Sequence, residues 1–345
     1  MAIAVVALQP ADCVEIAGFF AAQTGDSPSN VLERLEWLTR NPGMRDDVPF
    51  GWGVRTGSGD LAGAMLCIPY RFVVRGRIEW FLMSSGFYVD AAARGAGIQI
   101  FLRYRSLADR FVLYTTTANE QAAALWQATG ATPIPKTEYE LVRPLRWART
   151  VEEALSTHVG RTAARIAASA IGPIDVVRLH RRRPTECTLK LVERLEDAVA
   201  AAGALDDAPT LVRDAPFLRW RYVEIPQFSA GVYRVERRDQ STDAFVALTG
   251  AARGSRFQLR CTYVADVWGD VSPSLFRGVL EAVAEQQLAT TDLLVIRSLP
   301  DEHEAVARHE HFWLRPFSHA IGWHIDRRRV TGHAWVMTPA GSEIV

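Results

Sequence analysis

Arg94-Gly95-Ala96-Gly97 set a fixed positive charge and two glycines within four residues, a combination suited to holding an anion. They stand between an apolar run ending Phe87-Tyr88-Val89-Asp90 and a segment with helical spacing. Glycines at 95 and 97 permit close backbone approach and positive φ. A helix start presents unsatisfied N–H groups and a partial positive charge, and Arg94 adds a permanent one. Strand, glycine-bearing turn and helix start, in that order, can cradle a phosphate; similar turns also occur for purely structural reasons.

The elements that must hold this turn follow from periodicity. The helix after it is expected to bury Ile98, Phe101, Leu102 and Leu107. A strand spans 111–117, and Asn119 then takes a helix-capping position ahead of Ala122, Leu125 and Trp126. Upstream, the pattern predicts a strand over 3–8, helices over 11–23 and 30–40, and strands over 50–55 and 61–70 joined by Thr56-Gly57-Ser58-Gly59-Asp60. A further hairpin turns at Arg75-Gly76-Arg77, and a strand over 138–144 ends the series.

The run Phe87-Tyr88-Val89-Asp90, then Arg94-Gly-Ala-Gly-Ile-Gln99, then Asn119-x-x-Ala-x-x-x-Trp-x-x-x-Gly130 resembles the acyl-CoA-binding core of the GNAT superfamily of N-acetyltransferases. The order of elements over residues 1–146 is similar to that of a GNAT domain. The resemblance implies acetyl-CoA as acyl donor. Its pyrophosphate would lie on the amides of Arg94, Gly95, Ala96, Gly97, Ile98 and Gln99, its pantetheine along Phe87, Tyr88 and Val89, with Asn119 as a further cofactor contact. Gln99 stands where the family carries a small residue.

After an alanine-rich helical linker, 147–172, the same order recurs. A strand is expected over 174–179, helices over 186–202 and 216–223, and strands over 231–237, 244–249 and 258–268. A helix over 273–287, a strand over 292–299, a helix over 302–311 and strands over 319–326 and 333–338 complete it. This repeat of about 170 residues is too long for a solenoid. The expected fold class is α/β (α+β), two tandem GNAT-like domains with mixed, mainly antiparallel sheets: 1–146, binding acyl-CoA, and 173–345, degenerate. At the counterpart of the glycine turn the second half reads Trp268-Gly269-Asp270-Val271-Ser272-Pro273, where an aspartate would repel a pyrophosphate. The second domain is therefore expected to shape the acceptor site. Arg219 and Arg221, in Phe217-Leu218-Arg219-Trp220-Arg221-Tyr222, are its candidate substrate-binding residues.

Transfer from a thioester to an amine needs a neutral nucleophile, a site for the oxyanion and a proton route. The family often places a tyrosine seven residues after the asparagine as general acid; here that position is Trp126, whose indole is no practical proton donor. The candidates for proton transfer are Glu79, whose neighbour Trp80 is apolar, Ser84, which could orient a water together with Ser85, and Tyr88; Asp90 suits loop stabilisation better. Cys13, Cys67, Cys187 and Cys261 have neither metal-ligand nor nucleophile spacing, which favours direct attack and buried thiols in a reducing cytoplasm.

The 345 residues suffice for two domains, and an apolar share of 48% suffices for two cores. Lys plus Arg and Asp plus Glu number 39 each, so no global field draws nucleic acid or an anionic membrane. The apolar N-terminus lacks a basic flank and is broken by Pro10, Asp12 and Glu15, so it reads as a strand. His303, His309 and His311 lack metal spacing, and no metal is expected. The basic run over 178–183 reads as a solvated turn. The leading function is acetyl-CoA-dependent N-acyl transfer to a small amine such as an amino sugar, with monomer and homodimer both open. A non-catalytic CoA-binding scaffold and an aminoacyl-tRNA-dependent ligase are the alternatives.

Overall fold

The computed structural model describes residues 3–118, 120–134, 136–173, 185–199, 210–237, 241–253, 259–297, 299–317 and 319–323. Its strands are β1 (Ala4–Leu8), β2 (Gly51–Arg55), β3 (Leu61–Val74), β4 (Arg77–Val89), β5 (Val112–Ala118), β6 (Thr132–Pro133), β7 (Tyr139–Pro144), β8 (Cys187–Leu191), β9 (Thr210–Leu211), β10 (Ser229–Arg237), β11 (Ser241–Arg253), β12 (Leu259–Gly269), β13 (Leu293–Arg297), β14 (Trp313–Pro316) and β15 (His319–Trp323). Its helices are α1 (Cys13–Thr24), α2 (Pro28–Thr39), α3 (Arg94–Arg105), α4 (Glu120–Ala128), α5 (Trp147–Val159), α6 (Arg161–Ser169), α7 (Glu196–Val199), α8 (Ala215–Tyr222), α9 (Pro273–Gln287) and α10 (Asp301–His309).

Two mixed, mainly antiparallel sheets flanked by helices result. One runs β1-β2-β3-β4-β5-β15-β6, with β9 added beside β3; the other runs β14-β7-β13-β12-β11-β10-β8. The chain parts into two compact units whose segments alternate: Met1–Glu138, Ala204–Gln227 and Phe317–Val345 form the first, Tyr139–Gly203 and Phe228–Pro316 the second. This differs from the continuous stretches 1–146 and 173–345 expected from the sequence. The reason lies in three short pairings. β7 joins β13 and β14 in the second sheet, β15 joins β5 in the first, and β9 pairs with Phe72 and Val73 of β3.

In the first unit, α3 packs Ile100, Phe101 and Tyr104 into a core with Leu82, Leu113, Trp126 and Trp323. Ile98 and Leu102, expected inside, are 52% and 48% exposed. The buried stripe instead follows Ala96, Gly97, Ile100, Phe101 and Tyr104. A tyrosine can occupy such a stripe because its hydroxyl finds main-chain acceptors on the sheet, the carbonyls of Leu82 and of Tyr114.

In the second unit, Leu275, Phe276, Val279, Leu280 and Val283 of α9 cover Val235, Val246, Leu248 and Val264. The helix expected over 186–202 is instead strand β8 followed by the single turn α7. Pairing with the edge of β10 overrides the local preference there. The strands expected over 174–179 and 333–338 and the basic run over 178–183 lie outside the described residues.

α8 comes from the second half of the chain but belongs to the first unit. Asp214 caps it, accepting from the amide of Phe217 at 3.0 Å, and pairs with Arg71 of β3 at 2.7 Å. The indoles of Trp37 and Trp220 stack at 4.6 Å, and each donates to the other's carbonyl, at 2.7 and 2.9 Å.

Candidate active site

The central feature is a parting of β4 from β5. Their parallel pairing runs from Phe81 with Val112 to Ser84 with Thr115 and stops. Three local causes coincide. Gly86, at φ +61°, forms a bulge, because β3 pairs Leu66 with Ser85 but Ala64 with Tyr88. Thr115 Oγ1 donates to the Ser84 carbonyl at 3.2 Å, so a side chain caps the end of the ladder. The Tyr104 hydroxyl reaches one carbonyl on each strand. Ser85 to Val89 therefore run on beside an open strand edge, with main-chain groups available to an extended ligand.

The start of α3 stands at the end of that stretch. Arg94 is its first residue and is exposed. Ala93, at the N-cap, supplies no side-chain acceptor, so the first amides of the helix carry no side-chain cap. The two glycines differ in role. A methyl on Gly95 would meet nothing within 4 Å, whereas one on Gly97 would lie 3.1 Å from Val89 Cγ2 and 3.7 Å from Phe87 Cζ. Gly97 thus lets α3 approach β4, and Gly95 leaves an open face. Neither has positive φ, so close approach, not backbone handedness, accounts for glycine at both. Gln99 is exposed, and no close packing is required of it.

Phe87 and Val89 pack against the α3 side of the sheet. Tyr88 turns the other way, edge-on to Phe20 of α1 at 5.8 Å. Burial, aided by the negative charge of Asp26, raises its phenol above the usual tyrosine value, so it stays neutral and able to donate. Asp90 accepts from Gln23 Nε2 at 2.9 Å, tying the entry of α3 to α1. Ser84 and Ser85 are buried where the strands part. Glu79 is not brought to them: it is exposed and pairs with Phe72 near the hairpin tip, about 20 Å along β4 at the rise of a strand. Asn119 lies outside the described residues.

Trp126 is a core residue, stacked on Trp323 at 4.4 Å and edge-on to Phe101 and Tyr104. The four cysteines are all buried, and none forms a disulfide. Burial pushes the Cys13 thiol to about 11 and that of Cys67 higher still, which leaves neither a ready thiolate. Arg219 and Arg221 do not form a fork. Two positions apart on a helix they face different ways: Arg219 is exposed and Arg221 is buried. The sequence reading missed Thr115 and Tyr104. Tyr104 was detectable from its spacing to Ile100 and Phe101, Thr115 was not.

The corresponding helix start in the second unit is built differently. Ser272 caps α9 through the amide of Leu275 at 3.3 Å, and His303 Nε2 lies 3.0 Å from the Val271 carbonyl. Ser272 thus fills a capping role that Ala93 leaves unfilled at the start of α3.

The sequence matches no protein-family profile and no curated protein. Solved structures resemble it in fold. A probable N-acyltransferase from Enterococcus faecalis superimposes with a TM-score of 0.57 at 10% identity, over 93% of this chain and 72% of its own. Saccharomyces cerevisiae N-myristoyltransferase with bound myristoyl-CoA gives 0.57 at 12% identity, over 93% and 78%. A GCN5-related N-acetyltransferase from Anabaena variabilis gives 0.56 at 10% identity, over 93% and 72%. The chain shares the fold of these N-acyltransferases, and the likeness extends over 93% of it. Among the described residues, no helix is long and apolar enough to cross a membrane.

Proposed function

We propose that the first unit is an acyl-CoA-dependent N-acyltransferase that acetylates a small amine by direct attack. The observation that carries this reading is the conjunction of a parted strand pair with an uncapped helix start. Pantetheine extends along Phe87–Val89, and the pyrophosphate meets the amides of Arg94–Gly97, with the Arg94 guanidinium at the mouth and Ile98 and Gln99 on the outer rim. Main-chain amides of β4 polarise the thioester carbonyl. Tyr88, neutral and half-buried, is the proton donor toward the departing thiolate, in place of Trp126, and Ser84 and Ser85 orient a water that takes the amine proton. The second unit binds no CoA. Amino sugars remain within the acceptor range, as amines of low pKa that a water-mediated base serves.

Calorimetry with CoA tests the assignment. Arg94→Glu is expected to weaken binding roughly tenfold, the scale of losing a charged hydrogen-bond partner, while Asp270→Lys leaves it unchanged. CoA binding that survives the first substitution and responds to the second would place the cofactor in the wrong unit.

A further inference from the structure

α8 carries a guanidinium into the interior of the first unit. Arg221 is 3% exposed, and its Nη1 is enclosed without a hydrogen-bond partner. It makes no ion pair among the described residues, whereas Arg34 and Arg297, also enclosed, meet Asp26 and Glu140. The ring centroids of Trp37 and Trp220 lie 5.8 and 5.9 Å from the guanidinium carbon, at the outer limit of cation–π attraction, which does not offset the burial of a full charge. Tyr114 also feels this charge, but burial holds its phenol well above the ordinary range, so it stays neutral and is no counter-ion. A buried cation without an anion is among the least favourable arrangements in a protein. Arg221 nevertheless sits on a helix fixed by a cap, an ion pair and two reciprocal indole bonds.

Its place in the sheet supplies the second observation. Tyr114 precedes Thr115, where β4 and β5 part, and its ring meets that of Phe81 at 6.4 Å. Thr116 and Met83 touch one another farther along the same face, toward the opening. α8 lies on this same face: Trp220, beside Arg221, meets the ring of Tyr70 at 6.3 Å, and Tyr70 pairs with Phe81, so Arg221 stands on the face of the sheet opposite α3, away from the helix start assigned to the phosphates.

We infer that Arg221 receives a carboxylate of the amine acceptor, which makes the acceptor an amino acid or another amine bearing a carboxyl group. The inference rests on the acyl-transfer reading of this unit. A guanidinium pairs with carboxylates and phosphates alike, but the phosphates of the cofactor are assigned to the α3 side, which leaves a carboxylate of the acceptor as the anion for Arg221.

The test compares wild type with Arg221→Met, which retains the stem volume. Melting temperature and calorimetric binding are measured without acyl-CoA. The probes are the common amino acids and muramic acid, their carboxyl-free amines, and inorganic phosphate. At least one carboxylate is expected to raise the wild-type melting temperature and to bind at least tenfold tighter than its carboxyl-free partner. Arg221→Met is expected to lose that preference and, without ligand, to melt no lower than wild type. The inference is overturned if no carboxylate binds, if phosphate alone does, if the preference survives in Arg221→Met, or if that variant melts lower. Carboxylate binding through Arg221 without acetyl-CoA turnover would overturn the acyl-transfer reading and leave the receptor; turnover of carboxyl-free amines alone would do the reverse.

Discussion

Gly95 and Gly97 permit a separation of ligand contact from packing. Substituting Gly95→Ala adds a methyl to open space in the first turn of α3. Relieving the glycine entropy of a helix is worth about 0.5–1 kcal/mol. For a unit of this size that raises the melting temperature by about 1–4 °C. The same methyl stands where a pyrophosphate must meet the helix amides, so CoA affinity is expected to fall at least tenfold, about 1.4 kcal/mol. Gly97→Ala gains the same propensity, but its methyl would lie 3.1 Å from Val89 Cγ2, and the neighbour must yield by several tenths of an ångström. Overpacking of this kind costs about 1–3 kcal/mol, so the net change is about 0–2.5 kcal/mol of destabilisation. Scanning calorimetry gives the first quantity and isothermal titration with CoA the second. A Gly95→Ala protein that is more stable and binds CoA as tightly as wild type would refute the phosphate site at this turn.

Two further outcomes follow from buried side chains. Trp126→Phe should keep acyl transfer near wild type, because the indole is packing and not a proton source, whereas Trp126→Ala should lose about 3–5 kcal/mol in denaturant titration through the cavity against Trp323. With its thiol at about 11, Cys13 presents roughly one thiolate in a thousand at pH 8. Its reaction with a disulfide reagent in the native protein should therefore be slow and rise about tenfold per pH unit until near 11; fast, pH-independent labelling would contradict the burial.

Much of the first unit was legible because its elements are long and periodic. The segment from Gly86 to Gly130 announces strand, turn, helix, strand and helix through glycine spacing and apolar runs, and the folded chain follows that order. The buried side of α3 was misread because Tyr104 counts as half-polar in a pattern, while its partners are two carbonyls on other strands. Glu79 seemed close to the gap because it precedes it in sequence, but a strand rises about 3.3 Å per residue and carries it away. Arg221 could be flagged as a charge in an aromatic helix, yet its burial depends on Trp37, 184 residues earlier (221 minus 37), which no local pattern reveals. The alternation of segments between the units was equally invisible, since β7 and β15 look like any short strand and pairing partners are not written in periodicity.

That alternation sets an order of events during synthesis. β5 has its outer edge paired by β15, and Leu113 meets Trp323, a separation of 210 residues (323 minus 113). At translation rates of roughly 5–20 residues per second, that edge waits on the order of 10–40 s for its partner strand. Meanwhile β7 has left the ribosome with neither β13 nor β14 yet made. The amino-terminal half therefore cannot finish before the carboxyl-terminal half begins, and a polypeptide arrested near residue 146 holds the outer edge of β5 unpaired and two strands, β6 and β7, without a partner. Such a fragment is a candidate for edge-to-edge association and for capture by a chaperone, while the full-length chain closes both sheets at nearly the same moment.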